Sequence, residues 1–592
     1  MRVGAGALPA APVTREMGAA ALLLNAGRAL LCVTIFGVSF LLRFNDPGGS
    51  FAGLTDDHFF YIVRGWQILY GDLPVRDFVD HGAPLFYYVA AAVQFIGGRG
   101  TLSEIVFCTA ALSAGAAATF LLASRASGSL LLGLFAAATQ ILLEPRFYNY
   151  PKIIVYAAAI PALWGFADRQ SAPRRFVVAA VIAVAFLFRH DHGAFVAIAM
   201  AALVLLLRGV EWRARVRHLA ICAALVLALL APYLLFVQAN GGILSYVAQA
   251  SAWAERDRGR APVEWPGLFD NSAVASAAAQ TRGPIARSIA SVRDNRIAWV
   301  YYLELALPLI ALAVLAMSPD AFRPRWPQAT AKIGMVAILG FVLNAGFLRS
   351  PLEARLADPS VPHAVLLAWL CTAAVRVCWR GTALRPALAA YRVAVATVVL
   401  LLVAPAVSIA AVTLMTDVPG KFRKASLIGG SDLPLERATR VRDTMRATWP
   451  LERWASPTAP GVMRLAFYLR DCTSPRDRVF VQDYLPQVIA LSQRAFAGGH
   501  ADLRPGFFET PDAQRLTIER LRRQSVPVVA LGAGEDYEGF RVSFPMIAAY
   551  FDERYVIAGE RALDDRFGVT VLVSRAAVPT RHYAPLDLPC FR

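Results

Sequence analysis

Long apolar runs dominate the chain from residue 22 to residue 415, where short polar stretches separate them. A helix needs roughly 20 apolar residues to cross about 30 Å of hydrocarbon. The pattern predicts membrane-spanning helices. No small-residue cleavage site follows the first run and further spans come after it, so this run is interpreted as a retained anchor instead of a secretory signal. The runs lie near 22–44, 84–98, 103–123, 129–143, 152–167, 176–188, 193–208, 218–237, 299–317, 331–348, 363–379 and 390–415.

From about residue 416 the apolar runs shorten to strand length. A charged helical stretch follows Thr510-Pro511-Asp512, another helix is predicted over 544–553, and Gly498-Gly499 is interpreted as a turn. We predict a small α/β domain over 416–592 that handles the acceptor or stabilises the protein, because it carries no glycine-rich phosphate loop. Its strands are predicted at 478–482, 526–532, 555–559 and 568–574.

Composition agrees with this division. The chain has 592 residues, of which 57% are hydrophobic and 17% charged, and its mean hydropathy is +0.49. An ordinary soluble protein of this length is less apolar. The net charge of +17 does not predict nucleic-acid binding, because no basic run is interleaved with aromatic residues.

The basic residues predict the orientation, since cytoplasmic loops accumulate Lys and Arg. The N-terminus (1–21) and four loops are therefore expected on the cytoplasmic side. The basic residues of the four loops are, in chain order, Arg169, Arg174 and Arg175; Arg208, Arg213, Arg215 and Arg217; Arg323, Arg325 and Lys332; and Arg376, Arg380, Arg385 and Arg392. An odd number of crossings must then lie between 44 and 169, so one short run, 84–98 or 129–143, should not cross. About 11–12 spans result, in a membrane domain over 22–415.

The regions expected outside the cytoplasm are 45–83, 144–151, 189–192, 238–298, 349–362 and 416–592. They also contain nearly every acid and histidine of the membrane half, as an active site on one face would. A transporter more typically has ionisable groups or broken helices near the midplane of repeated halves. Cys472 and Cys590 can pair if the C-terminal domain is extracytoplasmic, although two cysteines define no framework and leave this open.

The first outer loop has the most informative polar pattern. Thr55 caps a predicted helix with Asp56 and Asp57 in its first turn, where carboxylates favour the helix dipole. Apolar residues recur at helical spacing behind them, which predicts an amphipathic helix on the membrane surface. The further motif elements are Gly71-Asp72, Arg76-Asp77-Phe78, Asp80-His81, Pro84-Leu85 and Tyr87-Tyr88.

This pattern of about 35 positions resembles the first loop of GT-C glycosyltransferases, the superfamily of protein O-mannosyltransferases and the lipid A aminoarabinose transferase. The fold class is thus expected to be a polytopic α-helical membrane protein, GT-C-like, with a C-terminal extracytoplasmic α/β domain. In that superfamily the acidic pair is usually Asp-Glu, so Asp57 is a mild departure. For a lone Asp-Asp pair, the plain alternative is that both residues cap a solvated helix.

The resemblance implies an inverting glycosyltransferase in the plasma (inner) membrane, with its active site outside the cytoplasm. Nucleotide sugars are absent there, so the implied donor is a polyprenyl-phosphate sugar and the acceptor a cell-envelope glycan, lipid or protein. Asp56 matches the position of the general base, which takes the proton of the acceptor hydroxyl. Asp57 would steer the acceptor or a hard divalent metal ion, and one adjacent carboxylate does not establish the metal.

Other outer residues are candidates for the donor phosphate and for a second acidic site. Glu144 fills the family's second acidic position, although it stands several residues early, and Lys152 resembles a phosphate-contacting cation; the alternative is a headgroup anchor. Asp191 would orient Arg189 toward phosphate, whereas a zinc site at His190 and His192 lacks a third ligand.

The loop before the span at 363–379 supplies the leaving-group candidates, Arg349 and Arg355, because an arginine-rich loop of similar placement contacts the lipid phosphate in the family. An ion pair with Glu353 is the competing interpretation. His81 is a further candidate for the acceptor or second acidic site. Two other functions stay open: a transporter or flippase of a lipid-linked glycan, and a non-catalytic envelope scaffold.

Overall fold

The computed structural model describes residues 13–45, 56–259, 265, 267, 295–317, 326–344, 353–379, 418–429, 433–447, 460–565 and 567–592. The predicted span at 390–415 lies outside these residues, as do Arg349 and the side chain of Asp56. Most of the outer loop 238–298 beyond residue 259 also lies outside them.

The membrane half is helical, and most of its helices follow the predicted apolar runs, whereas the helices Asp56–Leu69 and Ile243–Gly259 lie in the predicted outer loops 45–83 and 238–298. In chain order they are α1 Val13–Asn45, α2 Asp56–Leu69, α3 Pro84–Gly97, α4 Thr101–Ser127, α5 Leu130–Leu142, a 3-10 turn Phe147–Asn149, α6 Tyr150–Asp168, α7 Ala172–Phe188, α8 His190–Leu206, α9 Trp212–Ala239, α10 Ile243–Gly259, α11 Arg296–Met317, α12 Ala329–Asn344, α13 Glu353–Leu356 and α14 Ser360–Trp379.

Several of these helices are suited to a membrane. Within the described ranges, five are long and apolar enough to cross it, in α1, α4, α6, α9 and α11, and shorter apolar helices accompany them. Together with the C-terminal domain described below, the fold is that of a polytopic helical membrane protein with an α/β domain.

One end of the bundle gathers the basic loops, and we call it the arginine end (Arg125, 165–175, 205–218 and 326–332). Asp168, at the end of α6, pairs with Arg125 at 3.4 Å and with the buried Lys332. Gln328 and the backbone of Arg208 exchange two hydrogen bonds of 3.1 Å. Loops that are distant in sequence therefore meet at this end.

The opposite end contacts the C-terminal domain, and we call it the domain end (57–83, 144–152, 189–192 and 353–363). Lys152 pairs with Asp358 there, and the backbone N–H of His190 donates to the carbonyl of Gly82. Glu144 at this end forms an ion pair with Lys421, which belongs to the short helix α15, Val418–Lys424.

Of the two short runs, α3 stays at the domain end. It packs along α2: a Cβ on Gly65 would lie 2.9 Å from the Cβ of Ala90, and the indole N–H of Trp66 donates to Gln94 at 3.1 Å. The helix α5 instead runs from Ser129, near the arginine end, back to Glu144. The helices α4, α5 and α6 therefore run in turn between the two ends of the bundle, and the number of membrane crossings stays a prediction.

The C-terminal region folds as the predicted α/β domain. Its elements are α16 Pro434–Ala447, α17 Pro460–Cys472, β1 Arg478–Val481, α18 Pro486–Ser492, β2 Ala495–Phe496, α19 Pro511–Arg522, β3 Val528–Gly532, α20 Glu535–Ser543, α21 Pro545–Arg554, β4 Tyr555–Ala562, β5 Gly568–Ser574, β6 Arg581–Tyr583 and β7 Leu588–Cys590.

The main sheet has the order β2-β1-β3-β5-β4. Strands β2, β1 and β3 are parallel, whereas β5 is antiparallel to β3 and to β4. The run Val528-Val529-Ala530-Leu531 is fully buried because it is a central strand covered on both faces. The predicted turn at Gly498-Gly499 is confirmed, with φ of 67° and 84°, a conformation that favours glycine.

A disulfide joins Cys472 at the end of α17 to Cys590 in β7, which answers the question that the sequence left open. The bond ties the C-terminal hairpin β6–β7 to the body of the domain. The hydroxyl of Tyr468 donates to the carbonyl of Pro589 at 2.9 Å beside it.

Candidate functional site

The helix α2 is the centre of the site, and its position differs from the prediction. It does not lie on the lipid surface, since Ile62, Val63, Arg64, Trp66 and Gln67 are all at most 2% exposed. The apolar face packs on the membrane half, and the C-terminal domain covers the polar face. Buried polar side chains need hydrogen-bond partners, and the C-terminal domain provides them for Arg64 and Gln67.

The guanidinium of Arg64 shows how the two halves are joined. It donates to Asp502 of the C-terminal domain at 2.9 Å, and both side chains are buried. Burial opposes the charge of Asp502, but the neighbouring His81 and the charge of Arg64 hold the pKa of this carboxyl well below its ordinary value. Asp502 therefore stays ionised at the interface.

A second set of contacts fixes the end of α2. The amide of Gln67 donates to the carbonyl of Phe496 at 3.1 Å and accepts from the backbone N–H of the same residue. Asp72 forms two hydrogen bonds, of 2.6 and 3.0 Å, with the guanidinium of Arg478. The helix that begins with the acidic pair is therefore clamped at both ends.

Asp57 lies at the start of α2 between tyrosines. The hydroxyl of Tyr484, from the C-terminal domain, donates to its Oδ1 at 2.6 Å, and Tyr148 hydrogen-bonds with it from the membrane half. Burial and the carboxylate of Asp57 both raise the pKa of Tyr484, so its hydroxyl remains protonated and can donate. Hydroxyls from both halves of the molecule therefore hold the Asp57 carboxylate in place.

Two predicted phosphate-binding cations meet at the same end of the bundle. Arg189 forms a two-point ion pair with Asp191, and Lys152 pairs with Asp358. The two pairs interact electrostatically with each other. Although burial opposes its charge, Asp191 raises the pKa of Arg189.

Tyr61 connects the cations with the acidic pair. Its ring stacks on Phe86 with 3.8 Å between centroids, and its hydroxyl interacts electrostatically with Arg189 on one side and Asp57 on the other. Burial raises the pKa of Tyr61. The predicted residues Asp57, Lys152, Arg189 and Asp191 thus belong to one cluster, with Asp56 at the first position of the same helix.

The remaining predicted residues lie around this cluster. His81 is buried 3.6 Å from Asp502 and contacts the rings of Phe60 and Phe508, and burial lowers its pKa. Arg355 is half-buried, three residues before Asp358. Glu144 is 56% exposed, and its described contacts are with Lys421 and Arg43 instead of the cluster.

The histidines next to Arg189 point in different directions. His192 contacts the hydroxyl of Tyr156 at 2.6 Å, whereas His190 stacks on Phe186. His190 borders an apolar cavity of about 330 Å³ between α7, α9 and α10. Asp80 accepts hydrogen bonds from Tyr233 and Tyr246 of its wall, at 2.8 and 3.1 Å.

The sequence did not indicate the residues that other parts of the fold bring to the site. Tyr484 and Asp502 carry no local motif, and only the fold brings them to α2. Glu304 was also missed; it is buried within α11, 3.8 Å from His363 and close to Asp358. A signal existed for Arg64 and Glu304, since each is an ionisable residue inside an apolar run, where such residues need a partner.

The fold and the site define a helical membrane protein with a partly buried polar cluster where its bundle meets an α/β domain. No family model and no curated protein matches the chain. Among solved structures, the crystal structure of ArnT from Cupriavidus metallidurans in the apo state is similar, with a TM-score of 0.41 and 12% sequence identity over 93% of this chain and 98% of that chain.

ArnT is the lipid A aminoarabinose transferase, a member of the GT-C superfamily.

Proposed function

We propose that the protein is an inverting GT-C-type glycosyltransferase that moves a sugar from a polyprenyl-phosphate donor to an extracytoplasmic acceptor. The observation that carries this proposal is the cluster at the domain end. An acidic pair begins α2, and the two cations Lys152 and Arg189 lie near it. Tyr61 interacts with both Asp57 of the pair and Arg189. General base and phosphate-binding groups are the two requirements of this reaction.

The reaction would proceed in one displacement. The acceptor hydroxyl attacks the anomeric carbon while the bond from that carbon to the phosphate oxygen breaks, and polyprenyl phosphate leaves. Asp56 takes the hydroxyl proton, as its match to the family position implies. Asp57, held by Tyr484 and Tyr148, orients the acceptor.

The cations would stabilise the leaving phosphate by exchanging partners. Arg189 and Lys152 now pair with Asp191 and Asp358, and a phosphate has the same oxygen chemistry as a carboxylate. Arg349 and Arg355 are proposed to join them from the loop before α14. The apolar cavity beside His190 is a suitable place for the first isoprene units.

The proposed orientation puts the domain end outside the cytoplasm, in the plasma (inner) membrane. Basic loops at the arginine end favour a cytoplasmic location for that end. The Cys472–Cys590 disulfide favours an oxidising compartment for the C-terminal domain.

The test uses purified protein in nanodiscs supplied with polyprenyl-phosphate sugars and envelope glycan or lipid acceptors. We expect release of polyprenyl phosphate and a glycosylated acceptor, both lost in Asp56→Asn. Movement of the lipid-linked sugar between leaflets without release of polyprenyl phosphate would instead establish a flippase. A protein that is inert in both assays, and whose cellular role survives Asp56→Asn, would indicate a scaffold.

A further inference from the structure

A buried cluster of three different metal-ligating side chains lies directly behind the acidic pair. His58 follows Asp57 on α2, while Glu104 and Cys108 stand one turn apart on the same face of α4. All three side chains are at most 1% exposed. The cluster thus connects the helix that carries the acidic pair to a long helix of the bundle.

The spacing of the three donor atoms suits one metal ion. The His58 Nε2 lies 3.2 Å from Glu104 Oε1, and the Cys108 Sγ lies 3.7 Å from the same oxygen. All three atoms lie within 4.8 Å of one another. A tetrahedral zinc ion, with bonds of about 2.0–2.1 Å to N or O and about 2.3 Å to S, separates its ligands by about 3.3–3.6 Å.

A fourth polar group adjoins the cluster. The hydroxyl of Tyr150 is buried and has no hydrogen-bond partner among the residues that the structure describes. It interacts electrostatically with both Cys108 and Glu104. A buried hydroxyl without a partner is costly, and a ligand or a metal-bound water at the fourth position would supply one.

The surroundings also orient the carboxylate. The amide of Gln94 donates to Glu104 Oε2 at 3.4 Å and is itself held by the indole of Trp66 and the backbone of Gly100. Such outer contacts commonly fix metal-ligating groups. Without a metal, His58 and the thiol of Cys108 share one oxygen of Glu104, and the Tyr150 hydroxyl stays without a partner among the described residues.

We propose that His58, Glu104 and Cys108 bind a zinc-class divalent cation, with Tyr150 beside the fourth position. Binding displaces the thiol proton of Cys108, and the thiolate and carboxylate together balance the two positive charges of the ion. The ion fixes α2 to α4 and thereby positions Asp56 and Asp57. This site is separate from the proposed glycosyl transfer and does not depend on it.

The experiment measures metal bound to tag-free protein purified in nanodiscs after expression with zinc. We expect about one zinc per chain by elemental analysis, and loss of at least 80% of it in Cys108→Ala and in His58→Ala. The matched controls are Cys222→Ala and Cys371→Ala, free cysteines elsewhere in the bundle, which should keep the metal.

A second measurement uses the unmodified chain, so that a poorly folding variant does not decide the outcome. Replacing zinc with Co²⁺ should give a thiolate-to-cobalt charge-transfer band, and removing the metal should lower the melting temperature and expose Cys108 to alkylation. Zinc-free protein with an unchanged melting temperature on zinc addition, or full metal retention in Cys108→Ala, would overturn the proposal. Neither result bears on glycosyl transfer, which the nanodisc assay tests separately.

Discussion

The two ends of the helical bundle contain similar charges in different settings. Each end buries a lysine against an aspartate, Lys332 with Asp168 at the arginine end and Lys152 with Asp358 at the domain end. Arg125 shares Asp168 with Lys332. Loop arginines at this end bind backbone instead: Arg215 donates to the carbonyls of Leu205 and Leu207 at 2.7 and 2.6 Å. Such bonds satisfy the last carbonyls of a helix.

At the domain end the cations bind carboxylates next to buried tyrosines and an apolar cavity. A backbone carbonyl bound to arginine stabilises a helix end and has no role in chemistry. A cation paired with a carboxylate can exchange it for a phosphate of similar shape. The surroundings of the charges, more than their number, therefore distinguish an anchoring end of the bundle from a candidate catalytic end.

The largest effect is expected from the aspartates of the two ends. Asp56→Asn removes the proposed base and should lower kcat by about 10²–10⁴-fold. Asp168→Asn leaves the buried Lys332 without its carboxylate, so it should lower stability while turnover per folded molecule stays within about twofold. Transfer rates normalised to the amount of folded protein measure the turnover of both variants. Equal losses of turnover in Asp56→Asn and Asp168→Asn would contradict a functional difference between the two ends.

The next largest effect is expected from the cations of the two ends. Arg189→Gln and Lys152→Gln remove phosphate ligands, so each should reduce kcat/KM for the lipid donor by about 10–10³-fold. Arg215→Gln at the arginine end is the matched control, and we expect it to change membrane orientation or yield and leave kcat/KM near that of the parent. Loss of donor affinity in Arg215→Gln would place the phosphate at the wrong end.

A smaller effect is expected from the hydroxyl that reaches α2 from the C-terminal domain. Tyr484→Phe removes one charge-assisted hydrogen bond to Asp57, worth about 1.5–3 kcal/mol, and should lower kcat by roughly 10–100-fold with little change in KM for the donor. Tyr468→Phe removes a hydroxyl bonded to the carbonyl of Pro589 in the same domain. That control should lose stability only, so inactivity in both variants would point to a folding defect.

The smallest expected effect concerns pH. Burial lowers the pKa of His500 in the C-terminal domain from 6.5 to about 3. Because the unfolded chain binds this proton more readily, stability should fall as pH drops from about 6.5 toward 3, by up to about 1.4 kcal/mol per pH unit. His500→Gln should flatten this slope in denaturant titrations, whereas the exposed His582→Gln should not; identical slopes would contradict this assignment.

The sequence predicted the elements well for local reasons. Apolar runs predicted most helices of the bundle, although α1 and α9 begin before their runs and α10 lies in a predicted outer loop. The β-branched runs around Val479, Val528 and Val571 predicted the strands β1, β3 and β5. Local turn chemistry at Thr510-Pro511 marked the start of α19, where Thr510 caps the helix.

What the sequence could not predict is how distant parts meet. The helix α2 has the pattern of a surface amphipathic helix, and only the covering domain explains why Arg64 and Gln67 are buried. Tyr484 reaches Asp57 across 427 positions of sequence. Spacing rules describe neighbours along a helix or strand, and they do not describe such contacts.

The most direct test of the account is a density map of the protein in nanodiscs with bound polyprenyl phosphate. We expect the phosphate between Lys152, Arg189 and the start of α2, with the isoprenoid chain in the cavity beside His190. A phosphate bound at the arginine end, or bound at the domain end with the acidic pair far from it, would contradict the assignment of the domain end as the catalytic face.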